Sequence, residues 1–320
     1  MRTGLVLDMT SPLLGRPGAV AADPPDTGVA AHYGDPYREQ RRLAAGAAEV
    51  DLSHRPVVRI AGPDRLSWLH SLTSQHLSSL EPGRQVEALV LSPQGHVEHA
   101  LALVDDGEAV LAHVEPGTAG ALITWLERMR FLLQVEISDV TDAWAVLGSA
   151  GSWRLVPRES LAAYDGELAG VLALEALRVE DRRPRLGVDV DARTIPNETR
   201  WLQSAVHLDK GCYRGQETVA RVDNLGQPPR RLRLLHLDGS DSELPVTGEP
   251  VLLGTREVGR VGTVARHHEL GPVALALVKR QVPDDADLLA GSVAARLEPD
   301  DAPTPVRTPR PELMRFRAAR

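Results

Sequence analysis

Apolar residues recur along this chain with two different periods, and each period predicts a different kind of element. Leu66, Leu69 and Leu72 return every three residues with Trp68 beside them, and Leu122, Trp125, Leu126 and Met129 stand at i, i+3, i+4 and i+7. Both spacings line up one face of a helix. Asp35-Pro36 predicts a third helix running towards Ala48, with the aspartate as cap and proline in the first turn. Strands are predicted at 57–60, 86–91, 97–104 and 109–114, broken by the turns Pro93-Gln94-Gly95 and Asp105-Asp106-Gly107. Further strands are expected near 133–138, 143–147 and 171–179.

Beyond residue 230 the apolar runs become short and evenly spaced, at 231–237, 250–253, 260–264 and 273–278, with Gly and Pro between them. That rhythm predicts a small β-barrel. The chain thus divides into four stretches. Residues 1–34, rich in Pro, Gly, Ala and Asp without a period, are expected as a flexible lead-in. Residues 35–230 form an α+β region of two intimately packed subdomains, 231–299 the barrel, and 300–320 a disordered tail. Within the second stretch, 180–230 is dense in Gly, Pro and charge, as functional loops on a scaffold are.

Composition narrows the range of functions. Thirty-six basic against forty-four acidic residues give a net charge of −8, the wrong sign for a non-specific nucleic-acid binder. The basic cluster Arg307, Arg310, Arg315, Arg317 and Arg320 sits among prolines and is read as a solvated tail. No run of eighteen apolar residues predicts a membrane span, and no leader with a basic start and apolar centre is visible. A cytoplasmic location is therefore expected. One cysteine, Cys212, excludes an intramolecular disulfide and a metal cage built from cysteines of one chain.

The densest local pattern is Lys210-Gly211-Cys212-Tyr213-Arg214-Gly215-Gln216-Glu217. Lys210 and Arg214 flank the cysteine at two residues on either side, and nearby cations favour a thiolate. A helix starting at Gln216 would add its dipole. The residues by themselves leave two readings open: a reactive or ligand-binding thiol, and a small hydrophobe packed in the core. His96-Val97-Glu98-His99 and His267-His268-Glu269 carry metal-ligand side chains, but neighbours on extended chain point apart, so no metal site is expected.

This octapeptide resembles the K-G-C-[YF]-x-G-Q-E signature of the YgfZ family, folate-binding relatives of glycine-cleavage T-protein. Other stretches are similar to the same family: Asp51-Leu52-Ser53-His54-Arg55, Leu91-Ser92-Pro93-Gln94-Gly95, Arg178-Val179-Glu180, Ile195-Pro196-Asn197-Glu198 and Val261-Gly262-Thr263-Val264. The resemblance, spanning roughly 36–298, implies an α+β folate-binding domain around a central cavity for tetrahydrofolate, with a C-terminal barrel. It implies Glu180 as the main folate carboxylate, Asp189 as a second acidic position, and Arg221 and Arg230 as partners for the anionic tail of folate. It also implies Cys212 as the functional thiol in assembly or repair of iron–sulfur clusters in client enzymes. T-proteins carry paired aspartates where Glu98 and His99 stand here, and often a tyrosine where Leu186 stands. A folate-dependent aminomethyltransferase using Glu98 is therefore the alternative expectation.

Overall fold

The structure, a computed structural model, describes residues 10–240 and 243–299. Its first part is not a loose lead-in. Ser11 caps a short 3-10 turn over Pro12–Gly15, and β1 (Val20–Ala21) pairs with β2 (Ala30–His32). Between them Asp26 is buried and ion-paired to Arg185, and Leu13 and Val29 pack into two separate cores, so long-range contacts rather than local periodicity fix residues 10–34. The tail expected at 300–320 lies outside the described residues.

Helix α1 (Pro36–Ala44) starts as its cap predicts, with the Asp35 carboxylate accepting from the Tyr37 and Arg38 amides. It stops short of Ala48 because the chain turns at Gly46, whose φ of +69° suits glycine. Then follow β3 (Glu49–Asp51), β4 (Val57–Ala61), α2 (Arg65–Leu72), β5 (Gln85–Leu91), β6 (Val97–Asp105), β7 (Ala109–His113), α3 (Ala119–Arg130), β8 (Glu136–Asp139), β9 (Trp144–Ser149), β10 (Ser152–Pro157) and β11 (Leu168–Ala169). Strands β5, β6, β7, β4 and β8 form an antiparallel sheet in that order, and β10, β9, β3 and β11 a second sheet.

Both faces of the first sheet are covered, which explains its near-continuous apolar strands. Val58, Ile60, Ala88, Val90, Val110 and Ala112 pack under α2 and α3. The alternate residues Val57 and Leu111 join the core beneath the second sheet, while Leu89 and Leu91 join another around Trp201 and Tyr213.

The segment 171–179 is a helix, α4 (Val171–Glu180), not the expected strand. A short apolar run does not distinguish a buried strand from a buried helix. Here the helix-favouring residues Leu172, Ala173, Leu174, Glu175, Ala176 and Leu177 decide it locally, and burial on opposite sides makes the run look continuous. Leu174 and Leu177 pack towards the second sheet, while Ala176 and Val179 pack against barrel residues Leu232, Leu234 and Val273.

After α5 (Trp201–Ser204) and α6 (Gln216–Leu225) the chain enters β12 (Arg230–Leu237), β13 (Pro250–Leu253), β14 (Arg256–His267), β15 (Gly271–Lys279), β16 (Leu288–Ala290) and β17 (Val293–Leu297). These six close into a barrel in the order β12-β15-β14-β13-β16-β17. Inward residues such as Leu235, Val261, Ala274, Ala276 and Val293 fill it.

Candidate functional site

A cavity of about 760 Å³ opens between the two sheets, α4 and the segments 183–186 and 201–207. That is the scale of a pocket for a small organic ligand. Leu52, Val86, Leu89, Leu101 and Leu174 supply apolar wall, and Trp153, after the turn at Gly151, supplies a flat aromatic one.

Its inner side is a layer of buried charge. The Arg185 guanidinium donates to both oxygens of Asp26 at 2.8 and 2.5 Å and to Glu115 at 2.7 Å. Glu115 also faces Arg55 at 3.4 Å. Arg178 reaches back one turn of α4 to Glu175 at 2.6 and 3.0 Å and out to Asp189 at 2.6 Å. Asp189 in turn accepts from the Thr263 amide of the barrel at 2.7 Å. Burial would raise the pKa of Asp26, but hydrogen bonds from His54 and Arg185 hold it well below the usual carboxylate range. The same opposition operates at Glu175, where Arg178 and Arg185 together outweigh desolvation.

His113, the last residue of β7, stands at this wall and differs from its neighbours. It is buried, and neither ring nitrogen has a hydrogen-bond partner in the protein. Its ring meets Trp153 edge-on with centroids 4.6 Å apart. Burial, then the charge of Arg55, pushes its pKa well below 6.5, so the imidazole is neutral at physiological pH. The Nε of Arg55 is likewise buried without a partner.

The cysteine motif lies outside this cavity, on the loop between α5 and α6. Cys212 is exposed, which removes the packed-hydrophobe reading. The two cations expected to flank the thiol direct their charges elsewhere. Lys210 is buried and donates through Nζ to the carbonyls of His70, Thr73 and Gln75, closing the C-terminal end of α2. It also stands 5.0 Å from the centre of the Tyr213 ring. Arg214 pairs with Glu98 at 3.1 Å. Tyr213 is buried beside Leu89, Trp201 and Val219, while Gln216 begins α6 and donates weakly to the Lys210 carbonyl at 3.4 Å. Gly211 and Glu217 are exposed. Most of the octapeptide therefore builds a loop, held by hydrogen bonds, an ion pair and packing, that presents one thiol.

The glycines of that loop and of the Ser92–Gly95 turn are in contact. Gly215 has φ +81°, and a Cβ there would lie 2.6 Å from the Ser92 carbonyl oxygen and 2.8 Å from Gly95 Cα. Gly215→Ala is expected to cost about 2–3 kcal/mol through left-handed strain and this collision. Thermal unfolding checks it against Gly211→Ala, where a Cβ meets nothing within 4 Å. A Gly215→Ala midpoint matching that control would contradict the prediction.

The four folate contacts expected from sequence do not converge on the central cavity. Glu180 ends α4 with its carboxylate half exposed and 3.2 Å from His267 Nε2, because a helix rather than a strand carries it round to the barrel side. Asp189 is fully buried, its oxygens engaged by Arg178 and by the amides of Arg185 and Thr263. Arg221 is exposed on α6. Arg230 is held by Asp191 at 2.6 Å and Glu198 at 2.8 Å. Asp189 and Arg230 border a smaller cavity of about 410 Å³ against the barrel.

Sequence reasoning missed Asp26, His113, Glu115, Trp153 and Arg185, and it named Arg55 only as part of the Asp51–Arg55 stretch, without a role. The one local signal was a histidine ending the apolar run Ala109–His113. Among the described residues no group of His, Cys, Asp or Glu is arranged to hold a metal ion, and no helix is long and apolar enough to cross a membrane.

Two layered sheets with a closed six-stranded barrel are the GcvT-like fold. A solved structure, the glycine cleavage system aminomethyltransferase T from Bartonella henselae, superposes with a TM-score of 0.74. The match covers 90% of this chain and 96% of that one at 16% identity. Residues 31–152 match the GCVT N-terminal domain family. A putative chloroplastic transferase of Arabidopsis thaliana is 23% identical over 74% of this chain, which spans 66% of that relative's length. An aminomethyltransferase of Moorella thermoacetica is 25% identical, with 77% of this chain and 82% of the relative covered. A mitochondrial iron-sulfur cluster assembly factor IBA57 homolog of Mycosarcoma maydis is 22% identical, with 56% and 54% covered. Fold, domain match and relatives together support the GcvT-like superfamily.

Proposed function

We propose that this chain binds a reduced folate in the central cavity and serves the assembly or repair of iron–sulfur clusters in client enzymes, with Cys212 as its working thiol, in the manner of YgfZ-like proteins. The observation that carries the folate reading is the cavity itself: apolar and aromatic walls, a volume of about 760 Å³, and buried polar atoms of His113 and Arg55 left without protein partners. A reduced folate joins a flat nitrogen heterocycle to an aromatic linker, which suits such walls. When bound, it supplies a carrier for one-carbon units.

The cluster reading rests on the exposed thiol and on similarity to a relative named as a cluster assembly factor. Thiolate is a soft ligand suited to iron, and one cysteine cannot hold a cluster alone, so the cluster stays with the client. A strain lacking the gene tests this through the activity of a cluster-dependent methylthiotransferase. Wild type is expected to restore it, and Cys212→Ser at equal protein level to restore less than about a tenth. Full restoration by the serine variant would remove the thiol from the mechanism.

The second reading is a folate-dependent aminomethyltransferase, favoured by the relatives of that name and by their coverage of most of this chain. Against it, Glu98 is exposed and tied to Arg214, and His99 is a partly buried imidazole whose pKa burial lowers. Turnover of an aminomethyl donor by the purified chain, lost in Glu98→Gln, would establish the second reading over the first.

A further inference from the structure

Five arginines line the central cavity: Arg84 is exposed at its outer side and Arg183 faces Asp181 at 3.2 Å, while the three on the inner wall each already face carboxylates. Arg185 has Asp26 and Glu115, Arg178 has Glu175 and Asp189, and Arg55 has Glu115. An anionic group placed there would meet Asp26, Glu115 and Glu175 as well as the arginines, so the wall does not call for a phosphate or a carboxylate. What it leaves unfilled is neutral hydrogen-bonding capacity. His113 is 6% exposed, borders the cavity, and has two buried ring nitrogens with no partner. An imidazole nitrogen buried without a partner costs the folded chain stability, and a hydrogen-bonding group brought by a ligand would recover that cost.

We infer that His113 recognises the ring system of the cavity's ligand, bonding a polar edge of a planar nitrogen heterocycle that lies beside Trp153, with the Arg55 Nε–H as a neighbouring donor. This rests on the folate reading and sharpens it: the group recognised at the inner wall is the uncharged heterocycle, through an imidazole in place of the carboxylate of Glu180. A neutral imidazole offers one N–H and one lone pair, so it complements a ring edge presenting either an acceptor or a donor. The same ring, edge-on to Trp153, fixes the plane in which a flat ligand fits.

The test is isothermal titration of the full chain with 5-formyltetrahydrofolate and with tetrahydropterin, which lacks the acidic tail. His113→Phe keeps a flat ring against Trp153 and removes both nitrogens. It is expected to weaken both ligands about tenfold or more without lowering the melting temperature, since two unpaired buried atoms are gone. His113→Gln, which keeps a donor and an acceptor, is expected to bind more tightly than His113→Leu. That pair decides the matter should the Phe variant fail to fold. Wild-type binding with unchanged affinity in the folded variants overturns the role of His113 and leaves the folate reading intact. Wild type that binds neither compound overturns both.

Discussion

Arg185→Met is expected to destabilise the folded chain by about 3–5 kcal/mol, a large share of what a domain has to lose. The guanidinium is 3% exposed and joins three distant parts of the chain: Asp26 in the N-terminal segment, Glu115 after β7 and, at 3.7 Å, Glu175 in α4. Methionine fills much of the volume but leaves those carboxylates buried and facing one another. Urea unfolding of wild type and variant measures the difference, and a loss below about 1 kcal/mol would show that water replaces the guanidinium at little cost. Asp26→Asn in the Arg185→Met background is expected to recover part of the loss, because it removes one stranded charge.

The pH dependence has a definite sign. Asp26 titrates below its ordinary value of 3.8 in the folded chain, so the unfolded chain binds its proton first. Its contribution is complete above that value and drains away as pH falls below it. In Arg185→Met the His54 hydrogen bond remains but the hydrogen bond and charge of Arg185 are gone, so the folded-state pKa moves up and this acid-side loss shrinks. Wild type and variant should therefore converge in stability towards low pH. Parallel curves would place the ion pair outside the energetics.

Lys210→Met is expected to cost about 3 kcal/mol and to loosen the loop that carries Cys212. The aliphatic stem is conserved by the substitution, so packing is nearly kept. What disappears is the single donor group closing the carbonyls of His70, Thr73 and Gln75. Hydrogen exchange over residues 206–215 should accelerate, whereas exchange in the barrel should change only with global stability. Burial pulls the Lys210 pKa from 10.5 to about 8. Between those values the unfolded chain holds the proton more tightly, so this residue makes wild-type stability rise with pH across that window. The methionine variant lacks that rise. An unchanged slope from pH 8 upward would mean that the three carbonyls keep the ammonium protonated.

The elements legible in the sequence were those whose signal is local. The cap at Asp35, the helical stripes of α2 and α3, the strands β4 to β7 and the short barrel strands follow from periods and turn residues that each segment carries in itself. The octapeptide was legible for the same reason, since Gly215 needs its left-handed backbone and Gln216 starts its helix within a few residues of each other. The position of α4 was visible and its helix-favouring residues carried its type, but burial against a sheet on one side and the barrel on the other erases the periodicity by which helix and strand are told apart.

The tertiary structure alone decided what the candidate site is made of. Its charged layer joins Arg55, Arg178 and Asp189, which the sequence had singled out, to Asp26, Glu115, Glu175 and Arg185, which nothing in their sequence neighbours marks. The same holds for residues 10–34, which are held by Asp26 meeting a guanidinium 159 residues away and by Leu13 and Val29 packing into distant cores. Local propensity and turn chemistry act over a few residues and can be read from the string. Which carboxylate faces which arginine, and which histidine is left without a partner at a cavity wall, depends on how separate elements are brought together, because buried charges and hydrogen bonds take their energy from neighbours in space rather than in sequence.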